Sequence, residues 1–184
     1  YGTATITVRA TSNSLTVDDA FVVTVTAVND EPSFTKGSNV TVNEDAGAQT
    51  ASGWASSLSK GPNDPSSQAL TFTLTNNNNS LFSAQPAISS SDVLTFTSAT
   101  DAYGIATVSI VLTDDGGTAN GGDDTYATQT FTIDVGEGDD GPEVANAVAD
   151  FTVLEDASDS EKDYSSVFTD VDDDNNDITK AVQS

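Results

Sequence analysis

The 184-residue sequence predicts an all-β fold: a seven-strand Greek-key sandwich flanked by partial modules of the same kind. Three observations carry this expectation. Apolar residues recur at every second position in short runs rich in Val, Ile, Thr and Phe, with turn-forming residues between them and no helical period. The chain repeats itself over roughly 110 residues, the size of a domain rather than of a solenoid coil. Cysteine, methionine and histidine are all absent, so stability has to come from packing or from hard cations.

The repeat has three parts. Phe21-Val-Val-Thr-Val-Thr-Ala-Val-Asn-Asp-Glu-Pro32 returns as Phe131-Thr-Ile-Asp-Val-Gly-Glu-Gly-Asp-Asp-Gly-Pro142, with the same step from Phe to Pro. Tyr1-Gly-Thr-Ala-Thr-Ile-Thr-Val returns from Tyr103, and Val40-Thr-Val-Asn-Glu44-Asp45-Ala returns from Phe151. Each copy of the first stretch runs an alternating strand into two acidic or amide residues and then a proline, which cannot donate to a sheet ladder. The chain therefore reads as a slice through a tandem array. Residues 1–31 are the last two strands of a preceding module, 32–141 a complete module, and 142–184 the first strands of a following one.

In chain order, residues 3–8 and 20–28 alternate apolar with Thr or Asp and read as two strands joined by a polar turn over Thr11–Asp19. In the complete module strands are expected near 38–43, 48–54, 69–75, 80–84, 93–98, 105–113 and 127–135. Their core would comprise Val40, Val42, Trp54, Leu70, Phe72, Leu74, Leu81, Phe82, Leu94, Phe96, Val108, Ile110, Leu112, Phe131 and Ile133. Burying the large apolar side chains of this set contributes roughly 1.5–3 kcal/mol each. Trp54, the one tryptophan, could be a sugar-stacking platform, but its place in a strand favours the core. Asn76–Asn79 reads as a strand-end turn and Gly116–Asp124 as a long flexible hairpin loop. Past Pro142, strands are expected near 150–154 and 163–168, with a third beginning at the chain's end.

With 29 Asp and Glu against 5 Lys and Arg, the formal charge is −24 at pH 7. Such a chain repels nucleic acid and anionic lipid, so neither is an expected partner. Asp outnumbers Glu 23 to 6, a skew that suits cation-binding loops, although halophilic solvation would also give high acidity. The composition suggests an extracellular protein. Neither a signal peptide nor an apolar run long enough to cross a membrane is read within this segment, so export or anchoring signals are expected to lie outside it and no membrane insertion is expected in it.

Hard cations take six to eight oxygens, so Asp, Glu and Asn gathered from several loops are the signature for calcium. Glu44 ends the first strand, Asp101 precedes Tyr103, and Asp114 follows the sixth strand. Asp170-x-Asp172 and the linkers Asn29-Asp30 and Asp139-Asp140 complete a pattern that resembles cadherin repeats. The likeness is greatest to the Ig-like, cadherin-like modules of large bacterial surface proteins, and it covers nearly the whole chain.

The resemblance implies calcium between consecutive modules. At the C-terminal junction the implied ligands are Glu44, Asp101, Asp139, Asp140, Asp170 and Asp172, with Asp45 in reserve. At the N-terminal junction they are Asn29, Asp30 and Asp114, with Asp64 or Asp115 as additions and no upper glutamate. Departures from the pattern, such as Ala99-Thr-Asp101-Ala for L-D-R-E and Asn63-Asp64-Pro where D-x-D belongs, imply fewer or weaker ions. An EF-hand reading of Asp170-x-Asp172-x-Asp174 fails, because Asn175 stands where glycine and Ala181 where glutamate is required.

The expected function is structural: a calcium-braced segment of a bacterial surface adhesin or extracellular filament. Its expected partners are neighbouring repeats or identical subunits, with cell-surface polysaccharide as a further candidate. The alternative from another class is a carbohydrate-binding module displaying Trp54, Tyr103 or Tyr126. Unpaired strand edges at the two ends either pair head-to-tail between chains or are partly disordered. No two carboxylates are marked at catalytic spacing, so an enzyme is not expected.

Overall fold

The computed structural model describes residues 1–158, 162–172 and 178–181. Among them regular structure is β, apart from two single turns of 3-10 helix, Asn79–Leu81 and Ala119–Gly121. The strands are β1 (Gly2–Ser12), β2 (Leu15–Val25), β3 (Ser33–Thr35), β4 (Val40–Asn43), β5 (Ala48–Ala51), β6 (Ser56–Ser59) and β7 (Leu70–Asn76). There follow β8 (Phe82–Ile88), β9 (Leu94–Ser98), β10 (Gly104–Asp114), β11 (Gln129–Gly136), β12 (Glu143–Val144) and β13 (Phe168–Thr169).

β3 to β11 form a β-sandwich-like body. One sheet has the order β4-β11-β10-β7, antiparallel except where β4 joins β11 in parallel. Facing it are the three-stranded sheet β5-β9-β8 and the pair β3-β6. Long alternating runs explain the first sheet: in β10, Ala106, Val108, Ile110 and Leu112 are fully buried while their neighbours face outward. Pro86 is tolerated in β8 because that strand lies at a sheet edge and its pairing is irregular between Ala84 and Ala87.

The core joins both layers. Trp54 packs on Phe131 with ring centroids 4.4 Å apart, Phe34 meets Phe72 edge-on at 5.1 Å, and Phe82 meets Phe96 at 5.9 Å. Ten of the fifteen residues expected in the core are buried, while Val40, Val42, Leu70, Phe72 and Leu74 are half-buried against them. Phe34, Ala55, Ile88, Ala106 and Val135 join the core without having been expected there. The small or isolated members of that group carry little hydrophobic signal of their own.

Several expected elements differ. The body has nine strands rather than seven, because Ser33–Thr35 and Ser56–Ser59 pair with each other although both are too short and polar to show alternation. Trp54 is buried but not in a strand. The run expected over 48–54 stops at Ala51, and the chain turns at Gly53 (φ 66°) before β6. The turn expected over Thr11–Asp19 is only Asn13-Ser14, both at positive φ as a two-residue hairpin turn requires. Its strands are extended by the cross-strand pair Arg9–Asp18, whose two side-chain bonds are 2.6 and 2.7 Å long. The guanidinium holds the Asp18 carboxyl below its ordinary range, but both groups are exposed and such pairs add little stability.

The hairpin β1-β2 has the register of β10-β11. Ile6 faces Phe21 and Gly2 faces Val25, as Val108 faces Phe131 and Gly104 faces Val135. The environments are opposite, since every residue of β1 and β2 is exposed. Toward the C-terminus the strand expected over 150–154 does not form. Its counterpart β4 is a strand because β11 pairs with it, and residues 151–154 have no such neighbour among the described residues. The strand expected over 163–168 is reduced to β13, paired with β12. The third strand expected at the chain's end is not formed over the described residues 178–181, and Val182–Ser184, Asp174 and Asn175 lie outside the description.

Candidate metal centre

Strand periodicity delivers the first ligand. In β4, Val40 and Val42 pack against the core, and the two-residue period carries Glu44 onto the same face just past the strand end. Glu44 is 5% exposed. Its Oε1 accepts the Gly138 N–H at 2.5 Å, and its own N–H donates to the Gly136 carbonyl at 2.9 Å. Oε2 is buried without a hydrogen-bond partner. A buried carboxylate oxygen in that state is costly unless a cation or proton meets it.

Asp140 follows β11 by a short linker and is the meeting point. Its N–H donates to Asp172 Oδ2 at 2.6 Å, and the Asp172 N–H donates to Asp170 Oδ1 at 3.1 Å. Two acid triplets result, Glu44/Asp140/Asp172 and Asp45/Asp101/Asp140. In each, one carboxylate oxygen per residue lies within 4.8 Å of the others. Asp45 and Asp101 both sit at positive φ, 53° and 52°, in the left-handed region that aspartate tolerates better than most residues. Among the described residues no Lys or Arg forms an ion pair with Glu44, Asp45, Asp101, Asp140 or Asp172. Burial, then the charges of Asp172, Asp45, Asp101 and Glu44, push the Asp140 carboxyl above its ordinary value, and its Oδ2 is also buried without a partner.

Of the residues the sequence points to at this end, five converge in the triplets. Asp170 lines an adjoining open cavity of about 590 Å³ together with Asp101, Asp140 and Glu143. Asp139 is exposed and belongs to neither triplet. Glu143 was not anticipated, and as a lone acid after Pro142 it carries no motif.

The other end is organised differently. The alternation of β10 places Asp114 on the core face at the strand's end, 8% exposed. Its Oδ1 accepts from Asn29 Nδ2 at 2.9 Å and from the Gly116 N–H at 2.8 Å, while Oδ2 has no partner. Asn29 Oδ1 in turn accepts from Gln68 Nε2 at 2.6 Å, and its carbonyl accepts the Asp123 N–H at 3.1 Å. So Asn29 presents its amide nitrogen to Asp114, and no triplet of carboxylates forms here among the described residues. The Asp30 N–H donates to Asp64 Oδ2 at 2.9 Å, the same contact that Asp140 makes with Asp172. Asp64 thus occupies the position of Asp172, and Asp115 is instead used by the Ala69 N–H at 2.8 Å. The loop 116–124, expected to be flexible, is tied back by Asp123 to Asn29, by Asp124 to Asp114 and by a Thr113–Thr125 bridge.

Chemically, the triplets offer oxygen donors alone from a chain without His or Cys, which suits a hard cation rather than a transition metal. The acidic clusters could hold a metal ion. Of the aromatic residues considered as a sugar platform, Trp54 is buried with its indole N–H donating to the Ser38 carbonyl. Tyr126 packs edge-on to Phe34 at 5.5 Å, and only Tyr103 is exposed. No helix among the described residues is long and apolar enough to cross a membrane. No family model matches the chain, and no curated protein matches it.

Proposed function

We propose that the chain is a structural repeat segment of a large bacterial surface adhesin or extracellular filament, braced by calcium between successive cadherin-like modules. The carrying observation is the convergence of Glu44, Asp140 and Asp172, residues far apart in sequence, with a buried Glu44 oxygen left without a partner. In this reading residues 32–141 are one Greek-key module, 1–31 end its predecessor and 142–184 begin its successor. The chain's alternation between the two layers and the shared register of β1-β2 and β10-β11 support that division.

Calcium is favoured because carboxylates and nearby carbonyls supply its preferred oxygens. In its absence like charges at the seam repel, and the linker is free to bend. With it, the charge cluster becomes a cross-link between segments. Neither catalysis nor a nucleic-acid partner belongs to this function. Of the three residues named for the carbohydrate-binding alternative, Trp54, Tyr103 and Tyr126, Tyr103 alone is exposed.

Thermal melting in Ca²⁺ and in EDTA tests the brace. An ion held only by the folded chain adds about 2.7 kcal/mol at a concentration 100 times its Kd. The wild type is expected to melt higher in Ca²⁺, and Glu44→Gln with Asp172→Asn to lose that increment. Superimposable curves for the wild type would remove the proposal.

A further inference from the structure

The body's entry and exit lie at opposite poles. The chain enters beside the end of β10, where Asn29 Nδ2 donates to Asp114 Oδ1 at 2.9 Å, and the Ala127 N–H, just ahead of β11, donates to Glu31 Oε1 at 3.2 Å. It leaves past Gly136, the last residue of β11, at the pole where β10 begins. β4 and β11 are parallel and both run from the first pole to the second, with Val40, Thr41, Val42 and Asn43 facing Ile133, Asp134, Val135 and Gly136. Among the described residues β4 is the edge of its sheet, so β11 is the strand that holds it.

The seam between them is longer than its four pairs. At the entry end the Thr132 N–H donates to Asn39 Oδ1 at 3.1 Å. At the exit end the Glu44 N–H donates to the Gly136 carbonyl at 2.9 Å, and the Gly138 N–H donates to Glu44 Oε1 at 2.5 Å. Side chains thus continue the ladder beyond β4 at each end. β3 comes first on the path from the entry linker, but its pairing with β6 is interrupted between Ser33 and Thr35. A pull on the two linkers therefore draws β4 and β11 in opposite directions along their length. Ladder bonds run between the strands, across that load, and have to yield together. A load that parts the two strands from one end opens the same bonds one after another.

We infer that the β4–β11 seam is the force-bearing element of the body: tension arriving through the two linkers shears it, and its rupture sets how long the folded body survives under load. That direction of load rests on the proposed tandem array, whereas the resistance of the seam to it is a property of the body alone. Glu44 then has two tasks. Its Oε2 is left without a hydrogen bond beside the other acids, while Oε1 fastens the exit end of the seam to Gly138.

Because the chain has no cysteine, introduced pairs set the direction of pull. Val28→Cys with Gly141→Cys loads the seam along its length, and Lys36→Cys with Ala127→Cys parts it from the entry end; all four sites are exposed. Single chains are held at constant force in EDTA, so that no divalent ion contributes. The body is expected to last at least about fivefold longer along the first axis than along the second, the factor that one typical net hydrogen bond is worth. Glu44→Ala and Glu44→Gln both lack the charge, but only the glutamine keeps an acceptor for Gly138. Along the first axis Glu44→Ala should therefore unfold about fivefold faster than Glu44→Gln, and along the second equally fast. Asn39→Ala, at the end of the seam away from the acids, should also shorten the first lifetime. Equal lifetimes along the two axes, a Glu44→Ala loss that is absent or the same on both, or no change on Asn39→Ala would each overturn the inference. Calcium-dependent melting is a separate readout. Its absence removes the brace and leaves the seam, and equal lifetimes do the reverse.

Discussion

Asp140 belongs to both acid triplets, and its backbone N–H already holds Asp172, so its side chain is fixed where four other carboxylates converge. Its carboxyl is pushed above the ordinary value by burial first and then by those charges. The sign for stability follows. A carboxyl whose folded value is raised costs nothing while protonated, below the unfolded aspartate value of about 3.9, and destabilises as pH rises through its folded value. In chelator the melting temperature should therefore fall with rising pH across that window, and Asp140→Asn should flatten the fall. Under the proposed calcium brace the ionised form would be the ligand, so in Ca²⁺ the same substitution should lower stability and weaken binding by at least about tenfold, the loss that even outer-sphere partners produce. Melting curves of both proteins in both buffers check the reversal. Glu44 and Asp172 were legible from the sequence as strand-end and loop acids. The Asn29 amide was not, because which of its atoms faces Asp114 is decided by Gln68, a residue with no motif around it.

Among the strands and their connections, the irregular path between β3 and β6 depends on close approach at Gly37. A Cβ there would lie 2.6 Å from the Trp54 carbonyl oxygen and 2.7 Å from its indole ring. Gly37→Ala should force the indole off Phe131 and cost about 1–3 kcal/mol, as overpacking does. A lowered denaturant midpoint with red-shifted emission from the sole tryptophan is the expected result; an unshifted spectrum would mean that the ring had not moved. The long strands β7, β10 and β11 were readable because few conformations besides a half-buried strand give apolar alternation over seven or more residues. β3 and β6 were not, since three or four mostly polar residues become strands only through the edge each gives the other.

Across the full chain, the proposed brace predicts a mechanical consequence. In Ca²⁺ the junction after β11 should be stiff, and in EDTA the repulsion among Glu44, Asp45, Asp101, Asp140 and Asp172 should loosen it. Small-angle scattering on dilute chain is expected to show a narrower distribution of dimensions with calcium, and Asp172→Asn to respond less. Identical profiles in the two buffers would leave an acidic spacer without a brace.

The β class, the repeat, most of the core and the acids worth watching were all readable from residue order, because alternation and repetition are local properties that survive without a partner in space. It took the folded chain to make β4 a strand while its copy at 151–154 is not one, and to gather five acids at one end while amides close the other. Strand pairing and carboxylate convergence are relations between distant segments. They exist only once the chain has brought those segments together.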